Sequence, residues 1–149
     1  MPIFGIDGNH DQWYYKKTDA GLVVGEELEK RVKGYTHLGQ DEGDLWVNKK
    51  IHIRLYHPGD GSAFTPGYKL QKYLDSLSGG EKPHIVFQGH YHKAHYMFYR
   101  NVHGFDSGTI CGQTGWMRGK KIQAHMGFWT VKVYYDSKGV DRMQTEFYP

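Results

Sequence analysis

The residues best suited to chemistry in this sequence are histidines that directly follow short apolar segments. The chain has ten histidines and 20 glycines among 149 residues, and both types gather at these points. Histidine is a common neutral metal ligand, and glycine allows the backbone to turn sharply. Three apolar segments lead into a polar turn: Ile3–Ile6 into Gly8-Asn9-His10-Asp11, Ile51–Tyr56 into His57-Pro58-Gly59, and Ile85–Gln88 into Gly89-His90-Tyr91-His92.

These turns are expected to meet at one edge of a sheet. In open α/β sheets, ligands bind beyond the carboxyl ends of the strands. If the three segments are parallel strands, Asn9, His57, His90 and His92 converge there together with His10. Imidazole nitrogens and an amide oxygen are a ligand set that suits a divalent transition metal such as Mn, Fe, Ni or Zn. The sequence therefore predicts a metal site.

The surrounding pattern indicates strands that alternate with helices. Ile51 to His57 alternates strictly between two faces, which is typical of a strand. Residues 25–33 and 66–77 have the composition and spacing of helices, the second ended by Ser78-Gly79-Gly80. A hairpin is predicted over 35–48, with its turn at 41–44. Residues from 95 onward form short strands and turns, so we expect an α/β fold with a mostly parallel core and a strand-rich antiparallel C-terminal part.

Composition sets bounds on the class of protein. The length is that of a single domain, 1–149, and one cysteine, Cys111, excludes a disulfide framework. A mean hydropathy of -0.71 with no long apolar run predicts no membrane span, and the N-terminus lacks the features of a signal peptide. We therefore expect a cytoplasmic protein. The net charge of +3 is too small to indicate nucleic-acid binding by itself.

Taken in order, the three turns resemble the last three motifs of the calcineurin-like metallophosphoesterases. The resemblance spans residues 8–92. It implies a partial metallophosphoesterase-type α/β sandwich and hydrolysis of a phosphomonoester or phosphodiester by a metal-activated hydroxide. The resemblance implies manganese as the first metal to expect at such a site, with Fe, Ni or Zn as alternatives.

The resemblance also implies a role for each matched residue. Asn9, His57 and His90 correspond to ligands of the family's second metal, and His92 to a ligand of the first. His10 corresponds to the catalytic residue that stabilises the transition-state phosphate or protonates the leaving group. Asp11 corresponds to the residue that orients His10.

The sequence departs from the family pattern at its beginning. The family's Asp-x-His and Gly-Asp-x-x-Asp motifs, which supply three ligands including a bridging aspartate, are absent, and seven residues precede Gly8. The chain thus resembles the C-terminal part of the domain. Two dications about 4 Å apart repel strongly, and the ligands present here are neutral. An intact site holds two metals; we expect one or none in this chain, with Asp7, Asp11 and Asp60 as possible substitute ligands.

Three hypotheses follow. The first is a phosphoesterase acting on a phosphate ester, with nucleic acid and nucleotide among the candidate substrates. The second is a catalytically incomplete subunit that binds a metal or a partner chain. The third is a mononuclear metal-binding or nucleic-acid-binding protein. The missing motifs also predict an uncovered edge, and hence self-association or an N-terminal partner chain.

Other residues have ordinary interpretations beside the functional ones. His37, His52 and His84 are expected to be solvated strand residues, and His95, His103 and His125 to lie outside the site. Aromatic rings near the motifs, among them Trp13 and Trp116, can stack on a nucleobase, although such rings more often belong to a core or its rim. Lysines and arginines near them either line a phosphate groove or form a solvated face.

Overall fold

The computed structural model describes residues 1–149 and has a mixed α/β fold. None of its helices has the length and apolar character needed to cross a membrane. The elements in chain order are β1 (Ile3–Asp7), α1 (Trp13–Lys16), α2 (Val24–Arg31), β2 (Tyr35–Gln40), β3 (Glu42–Val47), β4 (Ile51–Tyr56), α3 (Tyr68–Ser76), β5 (Ile85–Gln88), β6 (Ala94–Tyr99), β7 (Val102–Ser107), α4 (Gly115–Gly119), β8 (Phe128–Asp136) and β9 (Gly139–Tyr148).

A five-stranded mixed sheet forms the centre of the molecule, in the order β3-β4-β5-β7-β6. The three inner strands β4, β5 and β7 are parallel, while β3 and β6 pair antiparallel at the two edges. Tyr56 and Asp106 both pair with Gln88, so the inner strands end level with one another. The turns that follow β4 and β5 therefore leave the sheet at the same edge.

Both faces of this sheet are covered by other elements. On one face, Leu70 and Leu74 of α3 pack with Val86 and Val102, all four fully buried. On the other face, Ile51, Ile85 and Phe105 pack against the β8–β9 hairpin. The result is three layers: helix α3, the central sheet and the hairpin. Burial of these apolar side chains is the main source of stability.

Helix α3 ends for a different reason than the sequence indicates. Its apolar spacing is as predicted, but neither Gly79 nor Gly80 adopts the left-handed conformation of a helix-ending glycine. Instead, the guanidinium of Arg100 donates hydrogen bonds to the carbonyls of Leu74, Asp75 and Leu77 at 2.6, 3.1 and 3.2 Å. A cation at the helix C-terminus satisfies these carbonyls and opposes the negative end of the helix dipole.

The hairpin predicted over residues 35–48 is wrong. β2 pairs in parallel with β1 in a separate two-stranded sheet, and β3 pairs with β4. Asp41 alone separates β2 from β3, and its φ of 61° directs the chain from one sheet into the other. The hairpin lies one element later, where Asn48 and Lys49 at φ 50° and 57° form the tight turn between β3 and β4.

Candidate metal centre

Three side chains that the sequence singles out meet beyond the ends of β1, β4 and β5. Asn9 Oδ1 lies 2.7 Å from His57 Nε2 and 3.2 Å from His90 Nδ1, and the two histidine nitrogens are 3.1 Å apart. No group of three histidine, cysteine or acidic side chains in the structure is placed to hold a metal ion. The third donor in this cluster is an amide oxygen. We refer to Asn9, His57 and His90 as the donor triad.

The spacing of the donor triad fits one cation. For a metal–ligand distance of about 2.1 Å, neighbouring donors around an octahedral cation lie about 3.0 Å apart. The three observed separations, 2.7, 3.1 and 3.2 Å, are close to this edge length. The residues present therefore fit three adjacent positions on one metal, with the remaining positions free for other ligands.

The backbone of Asp41 brings the β1 turn to the central sheet. β1 is not hydrogen-bonded to β4, so the sheet itself does not align Asn9 with His57. The Asp41 amide donates to the Asp7 carbonyl at 3.0 Å, and its carbonyl accepts from the His57 amide at 2.6 Å. The Gln12 side chain also donates to the Asp41 carboxylate. No local sequence pattern indicates this role of Asp41, since it depends on two strands of different sheets.

Gly8 allows the His57 ring to lie against the β1 turn. A Cβ atom on Gly8 would stand 2.6 Å from His57 Cε1 and 2.8 Å from its Nδ1, well inside van der Waals contact. A side chain at this position would displace the imidazole from Asn9. The glycine that the sequence suggested for a sharp turn is thus required by the close approach of the ring.

His90 is held by both its backbone and its distal ring nitrogen. Its φ is 75° and that of His92 is 55°, so two residues with side chains adopt the left-handed conformation in one short turn. His90 Nε2 lies 3.0 Å from the Asp60 carbonyl, which can only accept a hydrogen bond. In neutral His90 the proton is therefore on Nε2, and the lone pair of Nδ1 faces Asn9 Oδ1 and His57 Nε2.

Burial favours the neutral form of three histidines in this region. It is the main cause that lowers the pKa of His57, His90 and His92 below the ordinary imidazole value, and neighbouring histidines are a further cause for all three. Neutral imidazole is the form that binds a metal.

The other predicted site residues lie around the donor triad without joining it. His10 is exposed and lines the same cleft, as does His92. The Asp11 carboxylate accepts a hydrogen bond from the Gly8 amide at 2.9 Å and makes none to His10. Asp11 therefore holds the turn that carries Asn9 and His10, in place of the direct contact with His10 that the resemblance implies.

The three aspartates considered as substitute ligands are engaged elsewhere. The buried Asp7 accepts from the Gly25 amide at 2.8 Å at the start of α2. Asp60 accepts from Lys69 and from the Tyr91 hydroxyl, and Asp11 from Gly8. The donor triad therefore contains no carboxylate.

Two histidines expected to be solvated are not. His52 is buried beside Asp44, at 2.7 Å, and stacks on Trp46. The His37 side chain is 9% exposed, 3.5 Å from the Asp7 carboxylate. Local sequence pattern could not show which neighbours cover these two side chains.

The donor triad forms one part of a cleft of about 780 Å³. Its walls include Trp13 of α1, and Trp116, Met117 and Lys120 in and after α4. From sequence, Trp13 and Trp116 are only aromatic rings near the motifs, and no local pattern points to Met117. The wall from α4 reaches the cleft through tertiary packing alone.

Comparisons with known proteins give little further information. No family model and no curated protein matches the chain. A solution NMR structure of a Thermotoga maritima protein matches with a TM-score of 0.43 and 18% identity, over 85% of this chain and 74% of that one. A likeness at this level supports no statement about activity.

Proposed function

We propose that this chain is a metal-dependent phosphoesterase module that corresponds to the C-terminal part of a calcineurin-like metallophosphoesterase domain. The supporting observation is the donor triad, in which three motif residues 48 and 33 positions apart in sequence meet within 3.2 Å. The structure supports the coarser part of the proposal, a mixed α/β fold with α3 on one face of the sheet and the β8–β9 hairpin on the other.

In this proposal Asn9, His57 and His90 hold one divalent cation, with manganese the first to test. A bound cation of this kind supplies Lewis-acid polarisation of a phosphoryl oxygen and lowers the pKa of water. The hydrogen bond from His90 Nε2 to the Asp60 carbonyl orients the ring and increases the basicity of Nδ1. His57 Nε2, which faces two acceptors, must transfer its proton to Nδ1 before it can bind a metal.

The remaining residues bind and orient the phosphate ester. His10 is exposed in the cleft, where its imidazole can donate a proton to a leaving-group oxygen. Asp11 fixes the turn that carries His10. Lys120 provides a fixed positive charge in the cleft wall for an anionic substrate.

The test is hydrolysis of bis(p-nitrophenyl) phosphate and of p-nitrophenyl phosphate by the purified chain with added Mn²⁺. We expect Mn²⁺-dependent hydrolysis that His90→Ala reduces at least about a hundredfold, because one of three donors is lost. The control is His103→Ala, which removes an imidazole paired with Tyr96 at the far end of the sheet. Equal loss in both variants would contradict the proposal.

A second candidate is a catalytically incomplete subunit that binds a metal or a partner chain. The observation in its favour is the absence of any carboxylate from the donor triad, since family sites use anionic ligands to hold two dications. Binding of Mn²⁺ through His90 without hydrolysis of either ester would favour this candidate over the enzyme.

A further inference from the structure

Two exposed indole rings line the cleft that contains the donor triad. Trp13 of α1 is 59% exposed and Trp116 of α4 is 67% exposed, and both border the same space as Asn9, His57 and His90. Large apolar rings left in water are costly, and exposed rings that border a polar site commonly mark a binding surface. By contrast, Tyr91, which is also in the wall, is buried and its hydroxyl donates to Asp60.

The charge of the cleft favours an anion. None of the residues that line it is acidic, and its wall contains one lysine, Lys120, together with four histidines. At the rim, the Lys17 ammonium lies 5.3 Å from the centre of the Trp13 ring, which adds a second fixed positive charge next to that indole. A ligand that fits this cleft therefore combines negative charge with an apolar, stackable surface.

We propose that the cleft binds a phosphate ester that carries a nucleobase, with the base stacked on Trp116 and the phosphate directed to the donor triad. This assignment rests on the proposed phosphoesterase function and names its substrate class. A volume of about 780 Å³ is within the range of small-ligand sites and accommodates a nucleotide. Stacking on an indole requires only the π-face of a base, so the preference among the four bases is small.

The two indoles are suited to mutation because they do not support the core. Trp116 is exposed while its neighbour Met117 is buried and anchors α4, so Trp116→Ala leaves the packing of that helix in place. The matched control is Trp46→Ala, which removes an indole of similar exposure, 55%, on β3 outside the cleft.

The experiment measures binding by calorimetry, with and without Mn²⁺, for adenosine 5′-phosphate, ribose 5-phosphate and a single-stranded octanucleotide. We expect adenosine 5′-phosphate to bind at least about tenfold more tightly than ribose 5-phosphate, and Trp116→Ala to remove most of that difference. Trp46→Ala should leave it unchanged. If the octanucleotide binds much more tightly than adenosine 5′-phosphate, the site is assigned to single-stranded nucleic acid. If the two bind equally, the site is assigned to mononucleotides.

Equal affinity for adenosine 5′-phosphate and ribose 5-phosphate would overturn the inference, as would equal effects of Trp116→Ala and Trp46→Ala. These outcomes are distinct from failure of the proposed function. Hydrolysis of the p-nitrophenyl esters without any preference for a base would keep the phosphoesterase and reject the nucleobase site. Base-dependent binding without hydrolysis would keep the nucleobase site and reject the phosphoesterase.

Discussion

At the scale of single residues, the donor triad is notable for being neutral. Asn9, His57 and His90 offer three donor atoms but no negative charge, and the nearby aspartates contact other groups. A dication held by such ligands keeps its full charge, which favours an anionic ligand in its open positions. The same neutrality makes a second dication next to the first unfavourable.

We therefore predict that the chain binds one Mn²⁺, and that His90→Ala weakens this binding by at least about tenfold. Removal of one of three protein donors leaves a cation with too few ligands to compensate for the loss of its water. Calorimetric titration gives both the stoichiometry and the affinity. His103→Ala serves as the control, and a stoichiometry of two in the wild-type chain would show that further ligands exist.

At the scale of elements, the β3–β4 hairpin depends on a charged cluster as well as on its turn. The Arg54 guanidinium donates to both carboxylate oxygens of Asp44, at 2.7 and 2.9 Å, and the His52 ring approaches the same carboxylate. Chiefly through the hydrogen bonds from Arg54, the pKa of Asp44 falls to about 2. Asp44 and Arg54 face each other across the two strands, so the pair stabilises their register.

This cluster should make stability depend on pH in the acid range. Because the folded-state pKa of Asp44 lies below its ordinary value of 3.8, its contribution is present above about pH 4 and is lost as pH falls toward 2. We expect Asp44→Asn to lower the free energy of unfolding by about 1 kcal/mol at pH 7, a value reduced for solvent screening of a partly exposed pair.

Urea denaturation at pH 7, 4 and 3 measures this effect. The difference between wild type and Asp44→Asn should narrow as the pH falls. Asp19→Asn, which changes an exposed carboxylate with no hydrogen-bond partner, should show no such trend. A difference that stays constant down to pH 3 would mean that Asp44 acts through packing and not through its charge.

At the scale of the whole molecule, the small β1–β2 sheet leaves one edge of β1 unpaired. β1 pairs on one side only, and its Ile3 and Phe4 side chains are 42% and 37% exposed. An unpaired strand edge with exposed apolar side chains favours pairing with another chain. Self-association or a partner chain at this edge stays a prediction.

We expect the purified chain to self-associate through β1 and Phe4→Lys to shift it toward the monomer, because a buried lysine in such an interface is costly. Sedimentation velocity over a range of concentrations measures the change. Phe64→Lys alters a fully exposed loop residue and should have no effect. A wild-type chain that is monomeric at all concentrations would count against self-association through the β1 edge.

Local pattern in the sequence was sufficient for several features. The alternation along Ile51 to Tyr56, the apolar spacing of Leu70 and Leu74, and the short run Ile85–Gln88 each predicted the element that is present. The turns after β1, β4 and β5 predicted the meeting of Asn9, His57 and His90. Periodicity and turn chemistry act over a few residues, so they can be identified without knowing the partners of a segment.

Features that depend on distant partners were decided by the tertiary structure alone. The pairing of β2 with β1, the end of α3 at Arg100, and the link from Asp7 to His57 through Asp41 each join segments far apart in the chain. Three further features also depend on distant segments: the burial of His52, the separation of His92 from the donor triad, and the cleft wall formed by Trp116. The sequence determined which residues end the strands, and long-range packing determined which of those residues contact one another. The reason is that the free energy of a contact depends on neighbours in three dimensions, which no local pattern encodes.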